Sequence, residues 1–309
     1  MRIVSLLPSA TEILFALGVG DDVVGVTFEC DHPDEARTRR IVSTSSLPEG
    51  LSPGAIDAVV KERMAAGEDL YRLDEGALAD IDPTLVVTQD LCAVCAVDID
   101  EVDDAMAHLG CAGTVLTLDP MSLGAVLDTI VATGIAVDRS AEAAALVGAL
   151  VDRLDAVAEM LGRSRWSDGV TATTTPVTSR ATLVLEWTDP AFGAGHWVPD
   201  LVAAAGGDPV LSRPGEHSIG LEWADVSTCG AEVVLVAPCG YRLDGAAALA
   251  EEVAAAGRLP PGAEVWALDA DAHIVRPGPR VVDGVEVIAR VLHPERIGAP
   301  SPEHARRVR

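Results

Sequence analysis

The chain has 309 residues, and its 49% hydrophobic and 23% charged residues are typical of a folded protein with one large or two medium domains. Its formal net charge of −26 argues against a nucleic-acid partner, because phosphate binding needs a basic surface. No apolar stretch reaches the roughly 18 residues of a membrane span, and residues 1–18 lack a secretory-signal pattern. We therefore expect a cytoplasmic protein whose six cysteines are thiols, catalytic groups or metal ligands rather than disulfides.

The first part of the chain alternates between short apolar runs and amphipathic segments. The S-x-x-E spacing of Ser9 and Glu12 predicts a capping box at the start of the first helix, and Gly18 predicts its end. Alternation of strands and helices favours parallel pairing in an α/β layer fold. The predicted strands lie at 2–7, 23–27, 84–89 and 113–119.

The pattern changes at Ser140. Residues 140–163 contain no proline and carry apolar side chains at helical spacing, which predicts one long helix of roughly six turns. A threonine-rich segment at 166–180 is interpreted as a surface loop, after which strands and helices alternate again. We predict an N-terminal α/β lobe at 1–138, a bridging helix at 139–165 and a C-terminal α/β lobe at 166–309.

Unusual residues gather in the loops predicted to leave the carboxyl ends of the strands, where parallel α/β sheets bind ligands. Only 3% of the residues are aromatic, and half of these fall in such loops. Aromatic and polar groups that converge on one edge of two lobes indicate a ligand cleft. The candidate ligand-binding residues are Phe28, Asp31, His32, Gln89, Trp187, His196, Trp197, Tyr241, His273 and Arg276.

Four cysteines fall in the same loops, and Cys92 and Cys95 form a Cys-x-x-Cys pair. The next predicted helix begins at Asp98, after both thiols, so the helix dipole cannot activate them and a redox switch is disfavoured. Together with Cys30 and Cys239, the pair offers four thiolates, the ligand number of a tetrahedral zinc ion or an iron–sulfur cluster. The alternative for each cysteine is that it lines a pocket as a small apolar residue.

Glu186 and Asp189 flank Trp187 and form a carboxylate pair that acid–base catalysis would need. Glu186, however, lies in an apolar strand. The sequence also contains no nucleophile–base pair and no G-x-G-x-x-G phosphate loop. We therefore expect a binding protein and not an enzyme.

The order of several segments carries a family resemblance. The segments are RIVSLLPSATEILFALG, VVGVTFECDHP, IDPTLVVTQ, the long helix, LVLEWTDPAFGAGHWVPDLVAAAGGDPVL and RPGPRVVDGVEVI. They resemble the class III substrate-binding proteins of bacterial cobalamin and ferric-siderophore importers, and most of all the cobalamin-binding branch. The resemblance implies two Rossmann-like α/β lobes joined by one long rigid helix, with a ligand cleft between the lobes and no catalytic machinery.

The resemblance also implies a ligand. We expect a cobalamin-like corrinoid or another metal-bearing small molecule, with Phe28, Trp197 and Tyr241 as flat walls against a macrocycle. Arg276 would meet a carboxamide or a phosphate. The alternative is a cytoplasmic zinc or iron–sulfur protein that uses the four loop cysteines. Because an export signal is lacking, docking to a membrane transporter is doubtful.

Overall fold

The computed structural model describes residues 1–48, 50–66, 68, 70–89, 113–168 and 179–309. These residues pack into two compact units. Unit 1 consists of Met1–Pro120 and Leu127–Val147, and unit 2 consists of Met121–Val126 and Gly148–Arg309. None of the described helices is both long enough and apolar enough to cross a membrane. The predicted three-part division at 1–138, 139–165 and 166–309 stays a prediction.

Unit 1 contains a six-stranded sheet with helices between its strands. The strands are β1 (Ile3–Ser5), β2 (Val23–Thr27), β3 (Arg40–Ser45), β4 (Tyr71–Leu73), β5 (Leu85–Thr88) and β6 (Thr114–Thr117). The helices between them are α1 (Pro8–Ala16), α2 (Pro53–Ala66) and α3 (Glu75–Ile81). The strand order is β4-β3-β2-β1-β5-β6, with β4 antiparallel to β3 and all other neighbours parallel. All four residues of β5 are buried, as expected for a parallel strand that is covered on both faces.

Helix α1 begins differently from the prediction. Its first residue is Pro8, and the preceding Leu7 makes no side-chain capping bond, so the predicted capping box of Ser9 and Glu12 is wrong. Proline suits the first helical position because its φ is already helical and its missing N–H would have no partner there. The predicted end is confirmed, since Gly18 follows the helix with a φ of 75°.

Two helices connect the units along the chain. Helix α4 (Leu123–Ala136) begins in unit 2 and ends in unit 1, whereas α5 (Ser140–Met160) begins in unit 1 and ends in unit 2. The predicted long helix is α5. It stops at Met160, and Gly162 then takes a φ of 67°, which ends helical geometry at low steric cost. Most of the threonine-rich segment lies outside the described residues.

Unit 2 contains a seven-stranded sheet and a separate two-stranded ribbon. Its strands are β7 (Arg180–Thr188), β8 (Ala191–Gly193), β9 (Gly195–His196), β10 (Gly207–Pro209), β11 (Arg213–Pro214), β12 (Ile219–Gly220), β13 (Val233–Val236), β14 (Glu264–Leu268) and β15 (Ala305–Arg307). Its helices are α6 (Val198–Ala204), α7 (Trp223–Thr228), α8 (Leu243–Ala255), α9 (Ala270–His273), α10 (Val281–Leu292) and α11 (Pro294–Ile297).

The sheet of unit 2 has the order β12-β8-β7-β13-β14-β15, with β10 also paired to β7, and the ribbon pairs β9 with β11. Strands β7, β13 and β14 are parallel and fully apolar at their centres. Burying each of their valines and leucines stabilises the fold by about 1.5–3 kcal/mol. The short strands β8 and β12 lie at the carboxyl end of β7, because β8 pairs antiparallel with Leu185–Thr188.

The last turns of α5 are tied to helix α10. Arg153 donates through Nε to Glu286 Oε1 at 2.8 Å and through its terminal nitrogen to Asp283. The hydrogen bond with Glu286 raises the pKa of Arg153 further above its usual value, against the opposing effect of burial. These ion pairs fix the first turns of α10, the helix that follows α9 and the loop containing Arg276.

Candidate ligand-binding site

Two aromatic side chains meet at the carboxyl edge of the unit 2 sheet. Trp187 stands near the end of β7 and Tyr241 follows β13, with their ring centroids 5.8 Å apart and their planes at 66°. This edge-to-face contact is the arrangement that aromatic quadrupoles prefer. The Trp187 indole N–H donates to the carbonyl of Asp189 at 2.9 Å, which fixes the ring. Both rings are partly exposed, so the pair presents an apolar surface at this edge.

Asp271 joins the loop after β13 to the loop after β14. Its Oδ1 accepts the backbone N–H of Gly240 at 3.1 Å, and its Oδ2 lies 3.7 Å from a terminal nitrogen of Arg276. The Arg276 side chain is only 13% exposed, so its charge is held inside the loop. Its contact with a carboxamide or phosphate stays a prediction. Asp271 was not among the predicted residues, because its partners come from two different loops.

His196 and His217 form a histidine pair. His196 Nε2 lies 3.2 Å from His217 Nδ1, and the two rings are nearly perpendicular at 87°. Burial lowers the pKa of His196, and the neighbouring His217 lowers it further. His217 is exposed, whereas His196 is half-buried. The sequence gave no indication of this contact, because the two histidines come from different loops.

Glu186 supports the loops that carry this pair. Its carboxylate is buried, accepts the Gly195 N–H at 3.3 Å and accepts the hydroxyl of Ser218 in a short hydrogen bond. Gly195 directly precedes His196 in the chain, and Ser218 directly follows His217. The carboxylate therefore has a structural role in holding the two loops together, and not the acid–base role weighed from the sequence.

Trp197 is packed inside unit 2. It is 6% exposed, and its indole N–H donates to the carbonyl of Ile274 at 2.8 Å. This contact ties the start of α6 to the end of α9. A buried, hydrogen-bonded indole favours a packing role over a ligand wall, and the predicted ligand contact stays a prediction.

His273 forms a second histidine pair, with His304. Their Nε2 and Nδ1 atoms lie 3.0 Å apart, and His273 is 8% exposed. Burial lowers the pKa of His273 to about 4, with a further contribution from His304. Its Nδ1 is 4.0 Å from Asp283 Oδ2, which is too long for a hydrogen bond. His273 is therefore neutral near pH 7.

In unit 1, the predicted residues after β2 occupy one loop. Phe28 is exposed and lies 6.2 Å from the ring of Tyr71, whose hydroxyl donates to Glu29 at 3.1 Å. Asp31 makes an ion pair of 3.5 Å with Arg37. The remaining predicted residues of this unit are His32, which is exposed, and Gln89, which is buried at the end of β5.

Two of the four cysteines of the predicted metal set, Cys30 and Cys239, belong to the described residues. Cys92 and Cys95 lie outside the described residues. Cys30 belongs to unit 1, is 4% exposed, and its sulfur lies 3.0 Å from the Thr11 hydroxyl. Cys239 belongs to unit 2 and is exposed. Among the described residues, no group of three or more histidine, cysteine or acidic side chains is arranged to hold a metal ion. The four-thiolate set stays a prediction.

A surface cavity of about 500 Å³ lies at the opposite, amino edge of the unit 2 sheet. Its charged wall is an ion pair between Arg180 and Glu264, with 2.8 Å between nitrogen and oxygen. The Arg180 hydrogen bond lowers the pKa of Glu264 against the effect of burial. A second carboxylate of the lining, Glu232, accepts the Ala181 N–H at 3.0 Å, so the charged side chains here pair within the protein rather than converge on a ligand.

A sequence model of the family described as Periplasmic binding protein matches residues 3–257. The chain belongs to this family. A 36-residue segment is 58% identical to the uncharacterized ABC transporter substrate-binding lipoprotein YvrC of Bacillus subtilis (strain 168). That alignment covers 12% of this chain and 12% of the relative's length.

Solved structures of other binding proteins share the fold of this chain. The apo form of the periplasmic heme-binding protein RhuT from Roseiflexus sp. RS-1 is 22% identical, with a TM-score of 0.63 over 94% of this chain and 97% of its own. The periplasmic vitamin B12 binding protein BtuF of Vibrio cholerae is 18% identical, with a TM-score of 0.61 over 94% and 96%. The predicted two-lobe α/β fold is confirmed.

Family membership also decides two expectations about the protein as a whole. The expected cytoplasmic location is wrong, because the family consists of periplasmic binding proteins and the curated relative is a lipoprotein. The composition of residues 1–18 was the basis of that expectation, and it carries no weight against the match to 255 residues of family sequence, from 3 to 257. The expectation of a binding protein rather than an enzyme is confirmed.

Proposed function

We propose that the protein binds a metal-bearing macrocycle, either a cobalamin-like corrinoid or a heme, and delivers it to an ABC importer. Delivery to an importer requires a location outside the cytoplasmic membrane, which removes the reason for doubting that the protein docks to a transporter. The observation that carries the proposal is the contact between Trp187 and Tyr241 at the carboxyl edge of the unit 2 sheet. The ligands of two structural neighbours support the ligand class, since one binds heme and the other binds vitamin B12.

The aromatic pair suits a flat ligand for a physical reason. Each ring is held before the ligand arrives, Trp187 by its bond to Asp189 and Tyr241 by its edge contact with Trp187. Little side-chain entropy is therefore lost on binding. If the macrocycle covers about 100 Å² of this surface, the gain is about 2.5 kcal/mol. The half-buried Tyr241 has a raised pKa because of burial, so its hydroxyl stays a hydrogen-bond donor at neutral pH.

An absorption titration of the purified protein with aquocobalamin and with ferric heme tests the proposal. We expect one of the two to bind with a dissociation constant in the micromolar range or below. Trp187→Ala should weaken binding about tenfold, as expected for the loss of about 1.4 kcal/mol. Trp266→Ala is the matched control, because Trp266 is a half-buried tryptophan of the same sheet that contacts Glu264 and Arg307 instead. If neither macrocycle binds the wild-type protein, the proposed function is wrong.

A further inference from the structure

We infer that His217, held in place by His196, ligates the metal centre of the bound macrocycle at an open axial position. The inference rests on the proposed function and names a residue that is absent from the candidates predicted from the sequence. It also reverses an expectation, because His196 was the residue of this region chosen for ligand contact.

The orientation of the pair decides which histidine has a nitrogen to offer. The contact uses His196 Nε2 and His217 Nδ1, which lie 3.2 Å apart. When the shared proton is on His217 Nδ1, its Nε2 carries a lone pair, the form of imidazole that binds metals. In the described part of the chain, the His217 ring makes its hydrogen bond to His196, through Nδ1. His217 is exposed, so this nitrogen is accessible.

His196 has the properties of a supporting residue. Its Nε2 lies 3.2 Å from His217 Nδ1 and can accept the proton that this nitrogen carries. Metal-binding histidines commonly donate their second ring N–H to a fixed acceptor, which sets the tautomer and the ring orientation. The backbone of His196 is itself fixed, since its N–H donates to the Glu216 carbonyl at 2.6 Å and its carbonyl accepts the Gly215 N–H at 3.1 Å.

The backbone beside His217 is also fixed, unlike that of an ordinary surface histidine. A Cβ atom at Gly195 would lie 2.3 Å from the Ser218 nitrogen and 2.6 Å from the His217 carbonyl carbon. The segment therefore packs directly on the glycine backbone. The Ser218 hydroxyl adds a bond to the buried carboxylate of Glu186. A ligand held this firmly loses little freedom on coordination, which is the requirement of a preorganised site.

The position of His217 agrees with the aromatic surface. His217 lies two residues before β12, and Gly220 of β12 pairs with Phe192 of β8. Phe192 pairs in turn with Trp187. His217 and Trp187 therefore lie on segments that are joined through β8, at the carboxyl end of β7. His217 therefore lies at the same edge of the unit 2 sheet as the aromatic surface that is proposed to hold the macrocycle.

The test uses whichever of aquocobalamin and heme binds the wild-type protein. With aquocobalamin, the His217 nitrogen displaces the axial water: a cobalt–nitrogen bond forms, the cobalt–oxygen bond breaks and water leaves. The visible spectrum should change to that of the imidazole adduct. With heme reduced to the ferrous state, resonance Raman spectroscopy should show an iron–imidazole stretching band that shifts when the protein's histidines carry ¹⁵N.

His217→Gln should remove this signature and weaken binding by roughly tenfold to a hundredfold, and added imidazole should restore the signature. His217→Ala is the second variant, whose smaller side chain leaves room for the imidazole. His196→Gln should keep the signature and weaken binding by about tenfold. His304→Gln is the matched control, because His304 also meets a partner imidazole through Nδ1, and it should leave both signature and affinity unchanged.

The outcomes separate the two proposals. If neither macrocycle binds, the proposed function fails and this inference fails with it. If a macrocycle binds and the signature persists in both His217 variants, the function stands and the inference is overturned. Loss of the signature in His304→Gln, or in His196→Gln while His217→Gln retains it, also overturns the inference. The melting temperature of each variant, measured beside the wild type, shows that the comparison is made on folded protein.

Discussion

Unit 2 holds two histidine pairs that use the same ring atoms in different surroundings. In one, His196 Nε2 meets His217 Nδ1 at 3.2 Å, with one ring exposed. In the other, His273 Nε2 meets the Nδ1 of His304 at 3.0 Å, and His273 is buried. The contact alone therefore does not indicate a role. Exposure makes the first pair available to a ligand, whereas burial makes the second a joint between α9 and the segment before β15.

Each pair also lies beside a glycine that packs on backbone, and this gives the largest expected effect. A Cβ at Gly284 would lie 2.2 Å from the His273 carbonyl oxygen, between two packed helices. Gly284→Ala should therefore cost about 4 kcal/mol of unfolding free energy, because neither helix can move away without opening the core. Denaturant titration of the variant and of the wild type measures this loss of unfolding free energy.

The control for this variant is Gly148→Ala in helix α5, where nothing lies within 4 Å of the added Cβ. That change should stabilise the protein by about 0.5–1 kcal/mol, because alanine is the better helix former. A cost below 1 kcal/mol for Gly284→Ala would show that the buried pair is less tightly packed than we describe.

The second effect is the pH dependence of the buried pair. His273 has a folded pKa of about 4, below its ordinary value of 6.5, so the unfolded chain binds a proton more readily. Stability is therefore lost as the pH falls from about 6.5 to about 4, by about 3 kcal/mol in total. Four groups face the ring from the packed elements: His304, Asp283, Asp269 and Arg280.

Denaturant titrations of the wild type and His273→Gln at pH 7, 5.5 and 4.5 isolate this effect, because carboxylates titrate equally in both proteins. We expect the variant to lose less stability between pH 7 and 4.5. Parallel curves for the two proteins would show that His273 is not held neutral by burial.

The third effect is smaller, although the steric conflict is similar. Gly195→Ala places a Cβ 2.3 Å from the Ser218 nitrogen, but residues 213–217 are exposed and can move outwards. We expect a cost of about 2 kcal/mol, together with weaker macrocycle binding, because His217 is displaced. Gly220→Ala is the control, since its Cβ meets nothing within 4 Å. If Gly195→Ala lowers the unfolding free energy as much as Gly284→Ala does, the loop at 213–217 does not move more easily than the packed helices around Gly284.

The smallest effect concerns the exposed ring itself. His217→Gln should change the unfolding free energy by less than about 0.5 kcal/mol, as surface substitutions do. His273→Gln at pH 7 should cost more than about 1 kcal/mol, because it breaks a buried contact. Thermal unfolding of the two variants side by side checks the difference. Equal losses would mean that His217 is a structural residue.

The sequence predicted the elements whose signal is local. Strand β5 and helix α5 follow from an apolar run and a helical spacing that need no distant partner. The start of α1 was wrong because Pro8 offered a competing signal to the Ser9 and Glu12 spacing. The predicted cytoplasmic location was wrong for a different reason, since the packing of a chain does not determine its cellular compartment.

The candidate site was harder to predict because its contacts join distant residues. The Ser218 hydroxyl meets Glu186, which turns a suspected acid–base group into a support. Asp271 likewise meets Gly240 and Arg276, from separate loops. Periodicity marks which loops reach the carboxyl edge of a sheet, but it does not say which side chains meet there.

Hydrogen exchange with and without a saturating macrocycle tests most directly that the carboxyl edge of unit 2 binds the ligand. Our account predicts slower amide exchange on binding in the segments 187–197, 215–220 and 239–242. Segments 227–232 and 260–264, which line the cavity at the amino edge, should exchange at an unchanged rate. Protection confined to the amino edge, with 187–197 and 215–220 unaffected, would contradict it.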